Sequence, residues 1–126
     1  MATIFGVTSL ELTEEQEKAL SAALIKDLGT LYTHALSFYL SKIPQEDARG
    51  GAVDQITFFV CVPPYIPLEK KRQTIELLNN TMVREVGYQG EMKVIVIFKY
   101  HDDEACGVDG VLRADAKAAA AAEKKG

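Results

Sequence analysis

The sequence lacks the features that define several large classes of protein. Its 126 residues include only two cysteines, Cys61 and Cys106, which make no disulfide framework. No apolar run approaches the ~20 residues needed to cross a bilayer, and the start "MATIFGV" has no basic segment of the kind that opens a secretory signal. No cluster of lysine and arginine forms a basic stripe, and the net charge is −4. We therefore expect a cytoplasmic protein with no nucleic-acid and no membrane partner.

Motifs for metals and cofactors are scarce as well. The stretch "HDDEAC" places His101, Asp102, Asp103, Glu104 and Cys106 within six positions, and these residue types can bind metal ions. Zinc sites usually show spaced pairs such as C-x-x-C with a second pair elsewhere, and no such pair occurs here. Neither glycine pair opens a helix, as a phosphate-binding loop would. We expect a solvated turn, no metal and no cofactor.

The residues that are present alternate between strand and helix patterns. Thr13 and Gln16 form the capping box of a first helix, which leucines at every fourth position continue and Gly29 ends. Pro67 suits the first turn of a second helix, which Gly87 ends. That helix has an apolar stripe at Ile75, Leu78, Met82 and Val86. Apolar, partly β-branched runs predict strands at 2–7, 35–40, 55–62 and 92–98.

The order strand, helix, strand, glycine turn occurs twice. The helix ends Gly29 and Gly87 lie 58 residues apart, and the strands shift by a similar amount. The repeat is one of pattern, since few residues are shared. We expect one domain over residues 1–113, made of β-α-β repeats at about 2–51 and 55–110. An alanine-rich tail, residues 114–126, follows and favours helix.

This layout resembles the tautomerase superfamily, and within it the proteins similar to macrophage migration inhibitory factor. The resemblance rests on the strand at the extreme amino terminus, the helix end Leu28-Gly29 and the strand stopped by Pro44. "ARGG" at 48–51, the strand "ITFFVCV" and the later "CGV" complete it. The resemblance implies an α/β (α+β) subunit, with a four-stranded mixed sheet and two helices on one face. It also implies a homotrimer whose sheets form a central barrel, which would explain strands that are apolar on both faces.

The resemblance further implies a one-proton relay at the amino terminus. An amino-terminal proline acts as general base in the family, because an apolar pocket lowers the pKa of its amine. This sequence has Ala2 after Met1 instead, so Ala2 is the implied catalytic residue if Met1 is removed. The family's lysine falls on Thr30, and its pocket tryptophan falls on Val108. The implied substrate-binding positions are Thr30, Ser37, Pro64, Ile95, Ile97 and Cys106.

Several other polar residues have a functional and a plain interpretation. Lys42 and Arg49 could bind an anion, although such residues are more often solvated charges. Tyr39 and Tyr100 could donate to an oxyanion, although strand tyrosines are more often packed rings with a wet hydroxyl. His34 could replace the missing lysine at low pH, although a histidine in such a loop is more often simply exposed to solvent.

Three functions remain open. The first is a tautomerase or isomerase that acts on a small 2-oxo or unsaturated carboxylic acid. The second is a non-catalytic homotrimer of the same fold that binds ligands or partners or serves as a scaffold. The third is a ferredoxin-like regulatory domain whose repeat is coincidental. The absent proline and lysine leave enzymatic activity undecided between the first two.

Overall fold

Strands and helices alternate along the chain in a computed structural model that describes residues 2–50, 54–87 and 93–125. Each of the four long strands has seven residues, and α2 is one turn longer than α1. The elements are β1 (Ala2–Thr8), α1 (Glu14–Leu28), β2 (Leu36–Lys42), β3 (Ile56–Val62), α2 (Leu68–Val86) and β4 (Val94–Tyr100). The predicted strand at 92–98 starts on a residue that lies outside the described part of the chain.

The four strands form one mixed sheet in the order β2-β1-β3-β4. β1 is parallel to β2 and antiparallel to β3, and β3 is parallel to β4. The two strands of each β-α-β unit are therefore direct neighbours. A ferredoxin-like domain has split β-α-β units instead, so the strand order excludes the alternative of a ferredoxin-like regulatory domain.

The duplication is visible in the spacing of equivalent elements. β1 and β3 begin 54 residues apart, and so do α1 and α2. The offset grows to 58 residues at the helix ends, because α2 has 19 residues and α1 has 15. It stays at 58 for β2 and β4 and for the 3-10 turns that follow them, Gln45–Asp47 and Asp103–Ala105. The turns that follow β2 and β4 are thus equivalent parts of the two repeats.

Both helices cover the same face of the sheet and enclose the core. Every second residue of the two central strands, β1 and β3, is buried there, with Ile4, Phe58 and Val60 at 0% exposure. Leucines at every fourth position of α1 pack onto them, together with Leu78 and Met82 of α2. Burial of each such side chain contributes about 1.5–3 kcal/mol, which makes this layer the main source of stability.

The ends of α1 and the end of α2 at Gly87 agree with the sequence prediction, whereas the start of α2 differs. The capping box is confirmed, since Thr13 accepts from the Gln16 amide at 3.1 Å and its own amide donates to Gln16 Oε1 at 2.8 Å. Pro67 is the N-cap of α2 rather than a residue of its first turn. The prediction of Ile75 in the apolar stripe is wrong, because its side chain is 45% exposed. The buried face instead includes Thr74, whose hydroxyl donates to the Lys70 carbonyl at 2.7 Å and is thereby satisfied.

The face of the sheet away from the helices carries a row of large apolar side chains. Phe5 pairs with Tyr39 on β2 and with Phe59 on β3, and Phe59 pairs with Ile97 on β4. These four residues form one line across all four strands, which we call the aromatic row. Tyr39 is 56% exposed, and Phe5 and Ile97 are each 40% exposed.

After β4 the chain forms a short turn, a hairpin and a third helix. The hairpin strands are β5 (Gly107–Val108) and β6 (Val111–Leu112), and the helix is α3 (Arg113–Lys125). The described part of the alanine-rich tail, residues 114–125, is therefore helical. No helix among the described residues is long and apolar enough to cross a membrane.

The "HDDEAC" stretch is a turn that anchors α3. The Asp102 carboxylate accepts from the Glu104 amide at 3.0 Å, and Asp103 binds Lys117 of α3 at 2.7 Å. Within the described ranges, no three residues of the histidine, cysteine, aspartate and glutamate types converge as metal ligands would. The two aspartates thus have structural partners, which the interpretation as a merely solvated turn did not include.

Candidate functional site

Ala2 begins a central strand of the sheet and is closed to solvent. Its side chain lies on the helix-covered face and is 1% exposed. Its backbone nitrogen donates to the Ala35 carbonyl at 2.8 Å. Met1, on which the implied chemistry depends, lies outside the described residues. A free α-amine at residue 2 would have the Ala35 carbonyl as a partner, and the Ala2 side chain lies in the apolar core.

The end of the sheet where Ala2 lies is formed by all four long strands. β1 and β2 begin there, with Ala2 opposite Leu36. β3 and β4 end there, with Val62 opposite Tyr100. His34 precedes Ala35, and His101 donates its amide proton to the Val62 carbonyl at 3.0 Å. We call this region the amino-terminal end of the sheet; both histidines of the chain lie at it.

A hydrogen-bonded chain connects the loop after α1 to the start of α2. The Thr74 hydroxyl donates to the Lys70 carbonyl, so the Tyr32 hydroxyl, 2.7 Å from Thr74 Oγ1, is the donor of the second bond. Tyr32 is 8% exposed, and it belongs to the same buried cluster as Ala2. Burial raises the pKa of the Tyr32 phenol, and the hydrogen bond with Thr74 opposes this only in part. Tyr32 therefore stays protonated and acts as a donor.

Two lysines of α2 lie over tyrosine rings at this end. Lys70 Nζ lies 4.6 Å from the centroid of the Tyr32 ring. Lys71 Nζ lies 4.7 Å from the centroid of the Tyr100 ring. Both distances fall within the range of a cation–π contact. The two contacts bring positive charge from α2 to the end of the sheet where Ala2 lies.

The structure places the six predicted substrate-binding residues in separate regions of the single chain. Pro64 is exposed in the turn between β3 and α2, at the amino-terminal end of the sheet. Ser37, Ile95 and Ile97 lie on the face opposite the Ala2 side chain. Cys106 is half-buried beside the hairpin. Their roles remain predictions, because one chain does not bring them together.

The sixth residue, Thr30, lies in a cleft between the two helices. Its hydroxyl donates to the Asp27 carbonyl at 2.6 Å. The cleft measures about 370 Å³ and is lined mainly by polar side chains, among them Gln73 and Asn80. Thr30 thus lies on the outer side of the helix layer in this chain, and its hydroxyl is used by the backbone.

One ion pair organises this cleft. Asp27 Oδ2 accepts from Arg84 Nη2 at 2.7 Å and from the Thr81 hydroxyl at 2.7 Å. These hydrogen bonds, first that of Arg84, hold the pKa of Asp27 below its ordinary value of 3.8. The pair joins the end of α1 to the end of α2, so it serves the packing of the two helices.

Solved structures share this architecture at low sequence identity. A wild-type asymmetric trimer of fused 4-OT is 12% identical, with a TM-score of 0.78 over 91% of this chain and 98% of that chain. Macrophage migration inhibitory factor from Toxoplasma gondii is 14% identical, with a TM-score of 0.63 over 85% of this chain and 96% of that one. Malonate semialdehyde decarboxylase is 16% identical, with a TM-score of 0.64 over 83% and 88%.

The chain has the tautomerase fold. The resemblance drawn from the sequence is confirmed at the level of the fold, including the duplicated unit, the mixed sheet and the helices on one face. No family model matches the sequence, and no curated protein matches it.

Sequence reasoning missed several polar residues that this tautomerase fold brings to its amino-terminal end. Tyr32, Thr74, Lys70 and Lys71 were not among the predicted site residues. One signal was present in the sequence. Lysines in the first turn of a helix interact unfavourably with the helix dipole, so their presence there suggests a role other than stabilising the helix. Tyr32 and Lys70 are 38 positions apart in the chain, so no local pattern could have paired them.

Proposed function

We propose that this chain is a tautomerase- or isomerase-like enzyme that acts on a small 2-oxo or unsaturated carboxylic acid. The α-amine of Ala2, exposed by removal of Met1, is its general base. The tautomerase fold supports this general class of activity. The observation that carries the proposal is the placement of Ala2 at the start of a central strand, 1% exposed, with its nitrogen 2.8 Å from the Ala35 carbonyl.

The environment of Ala2 suits an amine that must be neutral at physiological pH. A free α-amine has a pKa of about 7.7–8.0 in water. Burial among apolar side chains disfavours the charged form, which lowers that pKa. One N–H of the amine can donate to the Ala35 carbonyl, which leaves the lone pair free. The amine would take a proton from the carbon beside the keto group, and the electron pair would move to the keto oxygen. Return of the proton to that oxygen gives the enol.

We also propose that the active form is a homotrimer, and the aromatic row supports this. In one chain, Phe5, Tyr39 and Ile97 are 40–56% exposed on a sheet face that no helix covers. A contiguous exposed apolar row of this kind is unusual on a monomer and marks an interaction surface. One of the similar solved structures is described as a trimer. Three copies would cover one another's rows.

An assay of three forms of the chain tests the base. The forms retain Met1, expose Ala2, or carry Ala2→Pro with Met1 removed, and intact mass verifies each one. Keto–enol conversion of phenylpyruvate is expected only in the last two, because Met1 moves the amine by ~3.3 Å along the strand. Turnover by the Met1-retaining form would contradict the role of Ala2.

A non-catalytic trimer is the second candidate, and specific residues favour it. The Thr30 hydroxyl is already bound to the Asp27 carbonyl, and Ile95 and Ile97 offer only aliphatic surface. These three implied substrate-binding positions are therefore poor in free polar atoms. Absence of turnover in all three forms, with the trimer intact, would make a binding or scaffold role the better account.

A further inference from the structure

The loop that joins α1 to β2 is held by one buried side chain. Of its residues 30–35, all of which the structure describes, only Tyr32 is buried, at 8% exposure. The Tyr32 amide donates to the Leu28 carbonyl at 2.9 Å, and the three residues that follow Tyr32 are exposed. Loops usually run over the surface and are more mobile than the elements they connect. The Tyr32 side chain is therefore the feature that fixes the course of this loop.

Tyr32 attaches this loop to α2. Its hydroxyl lies 2.7 Å from Thr74 Oγ1, and the Thr74 hydroxyl donates to the Lys70 carbonyl at 2.7 Å. That second bond leaves the Thr74 oxygen as the acceptor for Tyr32, so both hydroxyls have partners. Tyr32 and Thr74 lie 42 positions apart in the chain, one in each repeat. The loop of the first repeat is therefore positioned by the helix of the second.

The end of the same loop holds the nitrogen of Ala2. The Ala35 carbonyl accepts from this nitrogen at 2.8 Å, immediately before β2 begins at Leu36. In the sheet of the described residues, β2 is an edge strand with β1 as its one neighbour. Ala35 follows Tyr32 by three residues, which span at most about 11 Å. A shift of the Tyr32 side chain therefore acts through a short exposed segment on the hydrogen bond between Ala2 and Ala35.

We propose that Tyr32 is a positioning residue, whose bond to Thr74 fixes the loop so that the Ala35 carbonyl stays in place as the acceptor for the α-amine of Ala2. The proposal rests on the proposed function, because it concerns the amine that removal of Met1 exposes and that acts as the base. The positioning itself needs no turnover, so it can be measured separately. It also accounts for a polar residue, Thr74, on the buried face of α2.

The position of the carbonyl should affect the charge of the amine. Burial at Ala2, whose residue is 1% exposed, disfavours the ammonium form and lowers the pKa of the amine. A carbonyl acceptor opposes this effect, because a charged donor forms the stronger hydrogen bond. When the loop is released, the ammonium form loses its acceptor and the pKa of the amine falls. Tyr32 therefore keeps this pKa closer to neutral pH, where a base can both accept and return a proton.

An NMR titration of the Ala2 methyl group tests the proposal in the form of the chain that exposes Ala2. The chemical shift of the methyl group follows the charge of the amine. The form that retains Met1 identifies the signal, because its Ala2 carries no free amine and does not titrate. Tyr32→Phe, which keeps the ring, and Thr74→Val are each expected to lower the pKa of the amine by roughly half a unit to one unit, as weakening of one charge-assisted hydrogen bond requires.

Two further variants separate positioning from a general loss of stability. Thr74→Ser loses a buried methyl group but keeps the hydroxyl, so the chain should be less stable while the pKa of the amine stays unchanged. Thr81→Val is the matched control, because Thr81 is the other buried threonine of α2 and also donates to the carbonyl four residues before it, at 2.8 Å. Its second bond goes to Asp27 of α1 at 2.7 Å and not to the loop. Thr81→Val should therefore leave the pKa of the Ala2 amine unchanged.

The outcomes distinguish the positioning role from the proposed function. A pKa of the amine that does not change, or that rises, in Tyr32→Phe or Thr74→Val overturns the positioning role. An equal fall in Thr81→Val or Thr74→Ser also overturns it, because the pKa would then follow stability alone. A fall confined to Tyr32→Phe and Thr74→Val, with no turnover of phenylpyruvate in the form that exposes Ala2, supports the positioning role and refutes the catalytic role of Ala2. Turnover with a pKa that is insensitive to Tyr32 does the reverse.

Discussion

The rings of Phe5 and Tyr39 stack on the open face of the sheet, with centroids 5.3 Å apart and planes inclined by 15°. They belong to neighbouring parallel strands and are directly paired in register. Stacking of this kind contributes about 0.5–1.5 kcal/mol beyond the burial of area. Yet both rings stay largely exposed in one chain, so the stack only orders a surface. A partner that covered this surface would contribute a larger gain in free energy, because it would bury both rings.

Replacement of Phe5 should therefore weaken assembly more than folding. We expect Phe5→Ser to shift the proposed homotrimer toward monomer, because each subunit would lose the burial of one phenylalanine, worth about 1.5–3 kcal/mol. Light scattering over a range of concentrations measures the shift. Ile75→Ser is the matched control, since Ile75 is 45% exposed but lies on α2 away from the row. A Phe5→Ser chain that stays trimeric at the lowest concentration, or an unchanged chain that is monomeric, would contradict the trimer.

The fold was largely readable from the sequence because its signals are local. The capping box at Thr13, the glycine stop at Gly87 and the alternation of β3 each follow from neighbouring residues. Strand ends were less accurate. The prediction ended β2 at residue 40, whereas pairing with β1 continues through Ser41 and Lys42. The apolar residues of an edge strand end where its buried part ends. Its backbone hydrogen bonds continue further, so the composition underestimates the length of the strand.

The candidate site was less readable because its contacts span the chain. Lys71 meets Tyr100, and Tyr32 meets Thr74, only after the two repeats pack together. A buried threonine in a helix also violates the apolar pattern from which the stripe was predicted. That is why Ile75 was assigned to the core in place of Thr74. Long-range polar pairs leave no periodic trace in the sequence.

Gly6 in β1 leaves room for a core ring. A Cβ atom at this position would lie 3.0 Å from Phe58 Cε1 and 3.3 Å from Cδ1, and Phe58 is fully buried. We expect Gly6→Ala to destabilise the chain by about 1–3 kcal/mol, as overpacking of a tight core does. Urea unfolding measures the cost. Adding Phe58→Leu to Gly6→Ala should recover part of the lost stability. If the double variant instead loses as much as the two single variants together, the Phe58 ring is not what the added Cβ atom collides with.

The Tyr32 hydroxyl donates to Thr74, and the Thr74 hydroxyl donates to the Lys70 carbonyl. These directions predict unequal losses of unfolding free energy for two substitutions. Tyr32→Phe removes a donor and leaves Thr74 bound to the Lys70 carbonyl, so it should cost about 0.5–1.5 kcal/mol. Thr74→Val keeps the shape but leaves the buried Tyr32 hydroxyl without its partner, so it should cost about 1–3 kcal/mol. Unfolding free energies of both single variants and the double variant test this. The double variant should cost less than the two together, and a larger cost for Tyr32→Phe would refute the assigned direction.

The Asp27–Arg84 pair should make part of the stability depend on pH. Hydrogen bonds from Arg84 and Thr81 lower the pKa of Asp27 from its ordinary 3.8. A carboxyl with a lowered folded pKa stabilises the fold fully above its unfolded pKa, and this contribution is lost as the pH falls through the folded pKa. Asp27→Asn should therefore be less stable than the unchanged chain at neutral pH, and the two should converge below pH 3.8. Urea midpoints measured across this range, with the exposed Asp115→Asn as control, provide the test. A difference between the two chains that stays constant down to strong acid would show that the ion pair contributes nothing and that the Asp27→Asn substitution acts only through packing.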